Sequence, residues 1–155
     1  MQIGSDGTSA FNSVSYAKLD GGSGSDTLDF TNSISNATNG KELTLTFGGA
    51  TNFENIVGAG VPETIKGDGN NNILVGDGDK SVIGSSPVGS DTIYGYGGND
   101  LLVAGSGNLN DFAKTSRIAS EAVFIAYRND SDNTGNDNLY GGSGDDILVG
   151  SAGDN

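Results

Sequence analysis

Gly141-Gly142-Ser143-Gly144-Asp145-Asp146-Ile147-Leu148-Val149 is a complete copy of the nonapeptide GGxGxDxUx, in which U is a large apolar residue. A glycine-rich turn with one fixed carboxylate, followed at once by a three-residue strand, is a unit built to be repeated and to hold calcium. A second full copy, GGSGSDTLD, runs from Gly21 to Asp29. Two matches at five constrained positions in nine are hard to obtain by chance, even in a chain with 27 glycines.

Partial copies fill the space between. Aligned on the apolar eighth position, they run from Gly58 to Lys66, Gly67 to Val75, Gly76 to Tyr94, Gly95 to Val103, Ala104 to Tyr140 and Gly141 to Val149, with a further start at Gly150. The sixth positions are Glu63, Asn72, Asp91, Asp100, Asp137 and Asp146; the eighth are Ile65, Leu74, Ile93, Leu102, Leu139 and Leu148. Every sixth position offers an oxygen, and every eighth is apolar. The third copy carries a 10-residue insertion around Lys80 to Val88, and the fifth a 28-residue insertion around Asn108 to Asn133. Both fall in the turn half of the unit, where length changes are tolerated best. Within the larger one, Asp111 to Glu121 reads as a short helix and Ala122 to Tyr127 as a strand, the whole being a functional excursion, a surface flap or a capping element.

The residues flanking the eighth position alternate in character. Odd copies carry Thr64 and Lys66, Thr92 and Tyr94, Asn138 and Tyr140; even copies carry Ile73 and Val75, Leu101 and Val103, Ile147 and Val149. An inward eighth residue sends the seventh and ninth outward. Odd and even copies are therefore expected to form two separate parallel sheets, two nonapeptides to a coil. A strand apolar on both faces is normally covered. The even sheet is expected to lie under the N-terminal third, the larger insertion or another chain.

The fold class expected is all-β: a parallel, two-sheet β-solenoid over residues 58–155, with an irregular β-rich segment, 1–57, continuous with it. In that segment Val14 to Tyr16, Thr27 to Phe30, Leu43 to Phe47 and Phe53 to Val57 read as short strands. Composition adds a constraint. Leu, Ile, Val and Phe are 35 of 155 residues, just above the level of about 20% below which highly charged chains tend to be disordered, and the net charge is −13. Ordinary core burial needs help, and a divalent cation bound only by the folded form would supply it. The acidity argues against nucleic acid as a partner. With no cysteine or histidine, thiolate sites, the usual zinc ligands and His-based catalysis are excluded, which leaves oxygen chemistry and no catalytic set. No apolar run reaches the length of a membrane span, and residues 1–13 lack the features of a secretory signal.

The two full nonapeptides, the run Gly89 to Val103, the half-copy Gly135 to Tyr140 and the lead-in Phe53 to Gly58 resemble the hemolysin-type calcium-binding family, the RTX (repeats in toxin) proteins. The resemblance covers about residues 53–155 well and 1–52 loosely. It implies a parallel β-roll with Ca2+ between the turns of consecutive same-side copies, bound by aspartates and turn carbonyls. Same-side stacking would pair Asp91 with Asp137 and Asp100 with Asp146. The candidate ligand set is those four with the turn glycines Gly89, Gly98, Gly135, Gly142 and Gly144, then Gly22, Gly24 and Asp26, and Asn72 through its amide oxygen. Glycine permits positive φ, which lets several carbonyls converge. Asp26 has no recognisable same-side neighbour in this register. The resemblance also implies secretion by a type I route, whose signal lies at the extreme C-terminus; the chain ends inside a repeat at Gly153-Asp154-Asn155 and so reads as a fragment.

Three functional readings result. The first is a calcium-binding, non-enzymatic module of a secreted bacterial protein that folds on calcium outside the cell. The second is the repeat portion of a secreted hydrolase, and the third a segment of an adhesin or surface-layer protein that associates through the even apolar face.

Overall fold

The structure, a computed structural model, describes residues 19–33, 38–78, 89–106, 123–126 and 135–150, with backbone only at 106 and 123–126. Among the described residues there are ten short strands: β1 (Thr27–Asp29), β2 (Glu42–Thr44), β3 (Asn55–Val57), β4 (Thr64–Lys66), β5 (Ile73–Asp77), β6 (Thr92–Gly97), β7 (Leu101–Ser106), β8 (Val123–Ala126), β9 (Asn138–Ser143) and β10 (Ile147–Gly150). They form two sheets, ordered β1-β3-β5-β7-β10-β8 and β2-β4-β6-β9. Every pairing is parallel. The architecture is a parallel β-roll.

The eighth positions set the register. Leu74 pairs with Leu102 and Leu102 with Leu148 in the even sheet, while Ile65 pairs with Ile93 and Ile93 with Leu139 in the odd one. Their side chains meet between the sheets in one core with Leu28, Ile56 and Leu43. Leu139 and Leu148, at the last rungs, are only partly buried. Turns on neighbouring same-side rungs are separated by 18, 28 or 46 residues. Two nonapeptides make 18, so the insertions lengthen the chain between strands that keep their partners.

The N-terminal segment joins the same sheets, β1 through β3 and β2 through β4. Leu43 to Phe47 is only partly strand: β2 stops at Thr44, because Gly48 and Gly49 take φ of 66° and 86° and turn the chain back. Phe47 then meets Phe30 edge to face, ring centroids 5.6 Å apart, at the N-terminal end of the core. The expected strand at Val14 to Tyr16, the 80–88 insertion and the helix at Asp111 to Glu121 lie outside the described residues.

On the outer face of the even sheet, Val57, Val75, Val103 and Val149 form a second buried cluster, no more than 5% exposed, flanked by half-buried Ile73, Leu101 and Ile147. That burial is reached within a single chain, so the valine row is not a free face for self-association. The expected strand in the larger insertion is found as β8. It pairs with β10 from Ile147↔Val123 to Gly150↔Ala126 and takes the edge of the even sheet.

Candidate metal centres

The turns stack in two columns, one at each edge of the roll. In the even column the N–H of Asn72 donates to Asp100 Oδ1 (2.8 Å) and that of Asp100 to Asp146 Oδ1 (3.0 Å). In the odd column the N–H of Glu63 donates to Asp91 Oδ1 (2.9 Å) and that of Asp91 to Asp137 Oδ1 (2.8 Å). The pairs Asp91 with Asp137 and Asp100 with Asp146 therefore stand on adjacent rungs in direct contact. Fifth positions bond in the opposite direction: Asn99 N–H donates to Asn71 Oδ1, and Asp145 N–H to Asn99 Oδ1, at 2.7 and 3.0 Å.

Asp26 does have a neighbour, contrary to the register read from sequence. Its N–H donates to Glu54 Oε2 at 2.9 Å. Glu54 is the sixth residue of a copy running from Gly49 to Val57, disguised by Ala50 and Asn52 where glycines normally stand. Asn52 nonetheless takes the left-handed turn, φ 57°. The apolar Ile56 two residues after Glu54 was the signal that could have found it.

The turn glycines divide by cause. Gly22, Gly24, Gly98, Gly142 and Gly144 have φ between 91° and 137°, where a side chain is strained. Tyr96 occupies one such second position at φ 75°. Gly89 and Gly135 are not among the positive-φ residues, which corrects the single reason given for all of them. They are required by proximity: a methyl on Gly135 would collide with the carbonyl of Gly89. The first glycines Gly76, Gly95 and Gly141 are held the same way, since a methyl on Gly76 would stand 2.5 Å from Asp91 Oδ2, and one on Gly95 or Gly141 would overlap the carboxylate of Asp100 or Asp146.

Six of the sixth-position residues are buried, Asp91, Asp100, Asp137, Asp146, Asn72 and Glu63 being at most 4% exposed, whereas Asp26 and Glu54 are partly exposed. Asp26 Oδ2, Glu63 Oε1 and Asp91 Oδ2 are buried with no hydrogen-bond partner. Burying an ionised oxygen without a partner is costly. Desolvation pushes the Glu63 carboxyl up to about 8, against bonds from the Thr38 hydroxyl and the Ala59 N–H. Asp91 is pushed up to about 9, first by burial and then by the charges of Asp77 and Glu63. Asn72 is different: its Oδ1 accepts the Asp68 N–H and its Nδ2 donates to the Glu54 carbonyl, both at 2.9 Å.

Among the described residues no three acidic side chains are arranged to hold a metal ion by themselves. Carboxylates from two rungs and the carbonyls of tight turns make an all-oxygen donor set, which fits a hard cation of calcium's coordination number. A family model for the RTX calcium-binding nonapeptide repeat matches the chain in four copies, over residues 18–30, 88–108 and 131–155. The chain carries hemolysin-type RTX calcium-binding repeats. Such repeats bind Ca2+. The matched segments contain Asp26, Asp91, Asp100, Asp137 and Asp146, and not the RTX-register positions held by Glu63 and Asn72. No curated protein and no solved structure matches the chain.

Proposed function

We propose that this chain is a calcium-dependent folding module of a secreted bacterial protein, disordered where calcium is scarce and folded into the roll once outside the cell. The observation that carries the reading is the buried, partnerless carboxylate oxygen at Asp26, Glu63 and Asp91, on rungs stacked so that like charges adjoin. In the absence of a cation those charges oppose stacking, and a chain with 27 glycines has much conformational entropy to lose. Calcium supplies two positive charges and demands six to eight oxygens, and extracellular modules bind it with dissociation constants of about 0.1–1 mM. Asp100 with Asp146 and Asp91 with Asp137 hold the ions, and Gly98, Gly142 and Gly144 bring the turn carbonyls within reach. Among the described residues no helix is long and apolar enough to cross a membrane, a finding that does not bear on β-barrels.

The test is a calcium titration of the full chain followed by circular dichroism, beside Asp100→Ala and Asp146→Ala. The wild type should gain strand signal cooperatively with calcium, and each variant should need more calcium and plateau lower. A chain fully folded in excess chelator and indifferent to calcium would refute the proposal.

A further inference from the structure

We propose that the odd-column turn between β4 and β6 binds a calcium ion with a carboxylate that the nonapeptide does not provide, Asp77. The inference rests on the calcium-binding reading of the repeats and adds a ligand and a site to it.

Asp77 is the second residue of its copy and closes β5, where strand alternation would send its side chain outward. The register slips there, with Val75 opposite Val103 but Asp77 opposite Ser106. Such a bulge re-aims a side chain, and Asp77 is 0% exposed. Its Oδ1 accepts the Gly89 N–H at 3.2 Å, across the base of the 10-residue insertion. Beside the Cα of Gly89, where a methyl group would stand, three oxygens from three segments converge: Asp77 Oδ1 at 2.9 Å, Asp91 Oδ2 at 3.0 Å and the Val61 carbonyl at 3.0 Å.

The oxygen that Asp91 sends there is the one without a hydrogen-bond partner, and Glu63 Oε1 on the rung below is equally bare. Glu63 cannot act as an aspartate would. Its longer side chain commits Oε2 to the Ala59 N–H at 3.0 Å, inside its own turn. The odd column therefore has an irregular first rung, and the extra acid stands beside it. Two carboxylates and a carbonyl make an oxygen set suited to Ca2+, which tolerates irregular shells, more than to Mg2+, which demands an octahedron.

An alternative role for Asp77 is to staple the insertion through Gly89, and Asp77→Asn separates the two because an amide oxygen keeps that bond. Native mass spectrometry of the full chain counts bound Ca2+, and competition against a chelator gives the affinities. Asp77→Asn should bind one ion fewer, or hold its weakest ion at least tenfold less tightly, than Glu42→Gln, which removes the same charge from the exposed outer face. Gly89→Ala, which leaves Asp77 in place and fills the space between the oxygens, should lose the same ion, and it decides the matter if Asp77→Asn does not fold in saturating calcium. Asp77→Asn indistinguishable from Glu42→Gln, or full occupancy in Gly89→Ala, overturns the assignment. A wild type that binds no calcium at all overturns the calcium reading of the repeats together with it.

Discussion

The two reasons for glycine in the turns can be separated by four substitutions to alanine, measured in saturating calcium. At Gly69 a methyl meets nothing within 4 Å and φ is not positive. Gly69→Ala should therefore stabilise by about 0.4–1 kcal/mol, by restricting the unfolded chain. At Gly22 the space is equally open but φ is 91°, and left-handed backbone costs an L-residue about 1–2 kcal/mol. Gly95 has no positive φ, yet its methyl would overlap Asp100 Oδ2 and stand 2.6 Å from the Gly141 carbonyl. Overpacking of that kind costs about 1–3 kcal/mol, and the carboxylate it displaces is a proposed calcium ligand, so the calcium midpoint should rise as well. Gly144 combines both faults, φ 132° and a collision with the Gly98 carbonyl, and should cost about 3 kcal/mol or more. Urea unfolding followed by circular dichroism ranks the four, provided the m-values agree. If Gly95→Ala is as harmless as Gly69→Ala, or if it leaves the calcium midpoint unchanged, then the motif does not need room over the first glycine, and the account of that position fails.

Three further outcomes are expected. In calcium-free buffer, acid should partly replace calcium: Glu63 and Asp91 have folded-state pKa values raised to about 8 and about 9, so the folded form holds protons that the unfolded form has released above about pH 4. That stabilisation is complete below pH 4 and disappears as pH rises through 8 to 9, amounting to several kcal/mol in order of magnitude; strand signal that grows from pH 5 to pH 9 in chelator would contradict it. Leu102→Ala, at a fully buried rung, should cost about 2–5 kcal/mol, and Leu139→Ala, at the partly open end of the core, less than half as much, read as shifts in urea midpoint. Glu54→Ala leaves the part-buried Asp26 N–H without its acceptor and should cost about 1–3 kcal/mol in the same assay, whereas no loss would mean that the first even rung does not depend on Glu54.

The roll was legible because one position in nine decides it. An apolar eighth residue fixes which way each short strand faces, and the alternation of Thr64, Thr92 and Asn138 with Ile73, Leu101 and Ile147 then assigns each strand to its sheet. What the sequence hid lay where a residue does its work from an unusual backbone. Glu54 was missed because Ala50 and Asn52 replace the glycines that mark a turn, although Asn52 adopts the same left-handed backbone. Asp77 was missed because its position in the repeat faces outward, and only the slip opposite Ser106 turns it in. The fate of the apolar even face was open for a related reason. A period of two tells which side a valine points to and says nothing of what crosses above it, so the burial of Val75 and Val103 could only be read from the fold.

Asn72 shows what a rung needs. A buried sixth-position side chain has two atoms to satisfy, one over its own turn and one toward the neighbouring rung. Asn72 satisfies both with protein alone, because its amide nitrogen donates to the Glu54 carbonyl at 2.9 Å. Asp91 meets the neighbouring rung with Oδ1, which accepts the Glu63 N–H, and its Oδ2 stands over its own turn beside Gly76, the place where Asn72 Oδ1 accepts the Asp68 N–H. That second oxygen of Asp91 has no partner, and an ionised oxygen buried without one is costly. Asn72 is thus satisfied by protein groups, and the bare oxygen of Asp91 is where the proposed cation would bind. This makes Asp91→Asn informative: with its oxygen kept on the Glu63 N–H it loses the bare carboxylate oxygen, so native mass spectrometry should count fewer bound ions than in the wild type, and an unchanged count would mean that Asp91 is not a ligand.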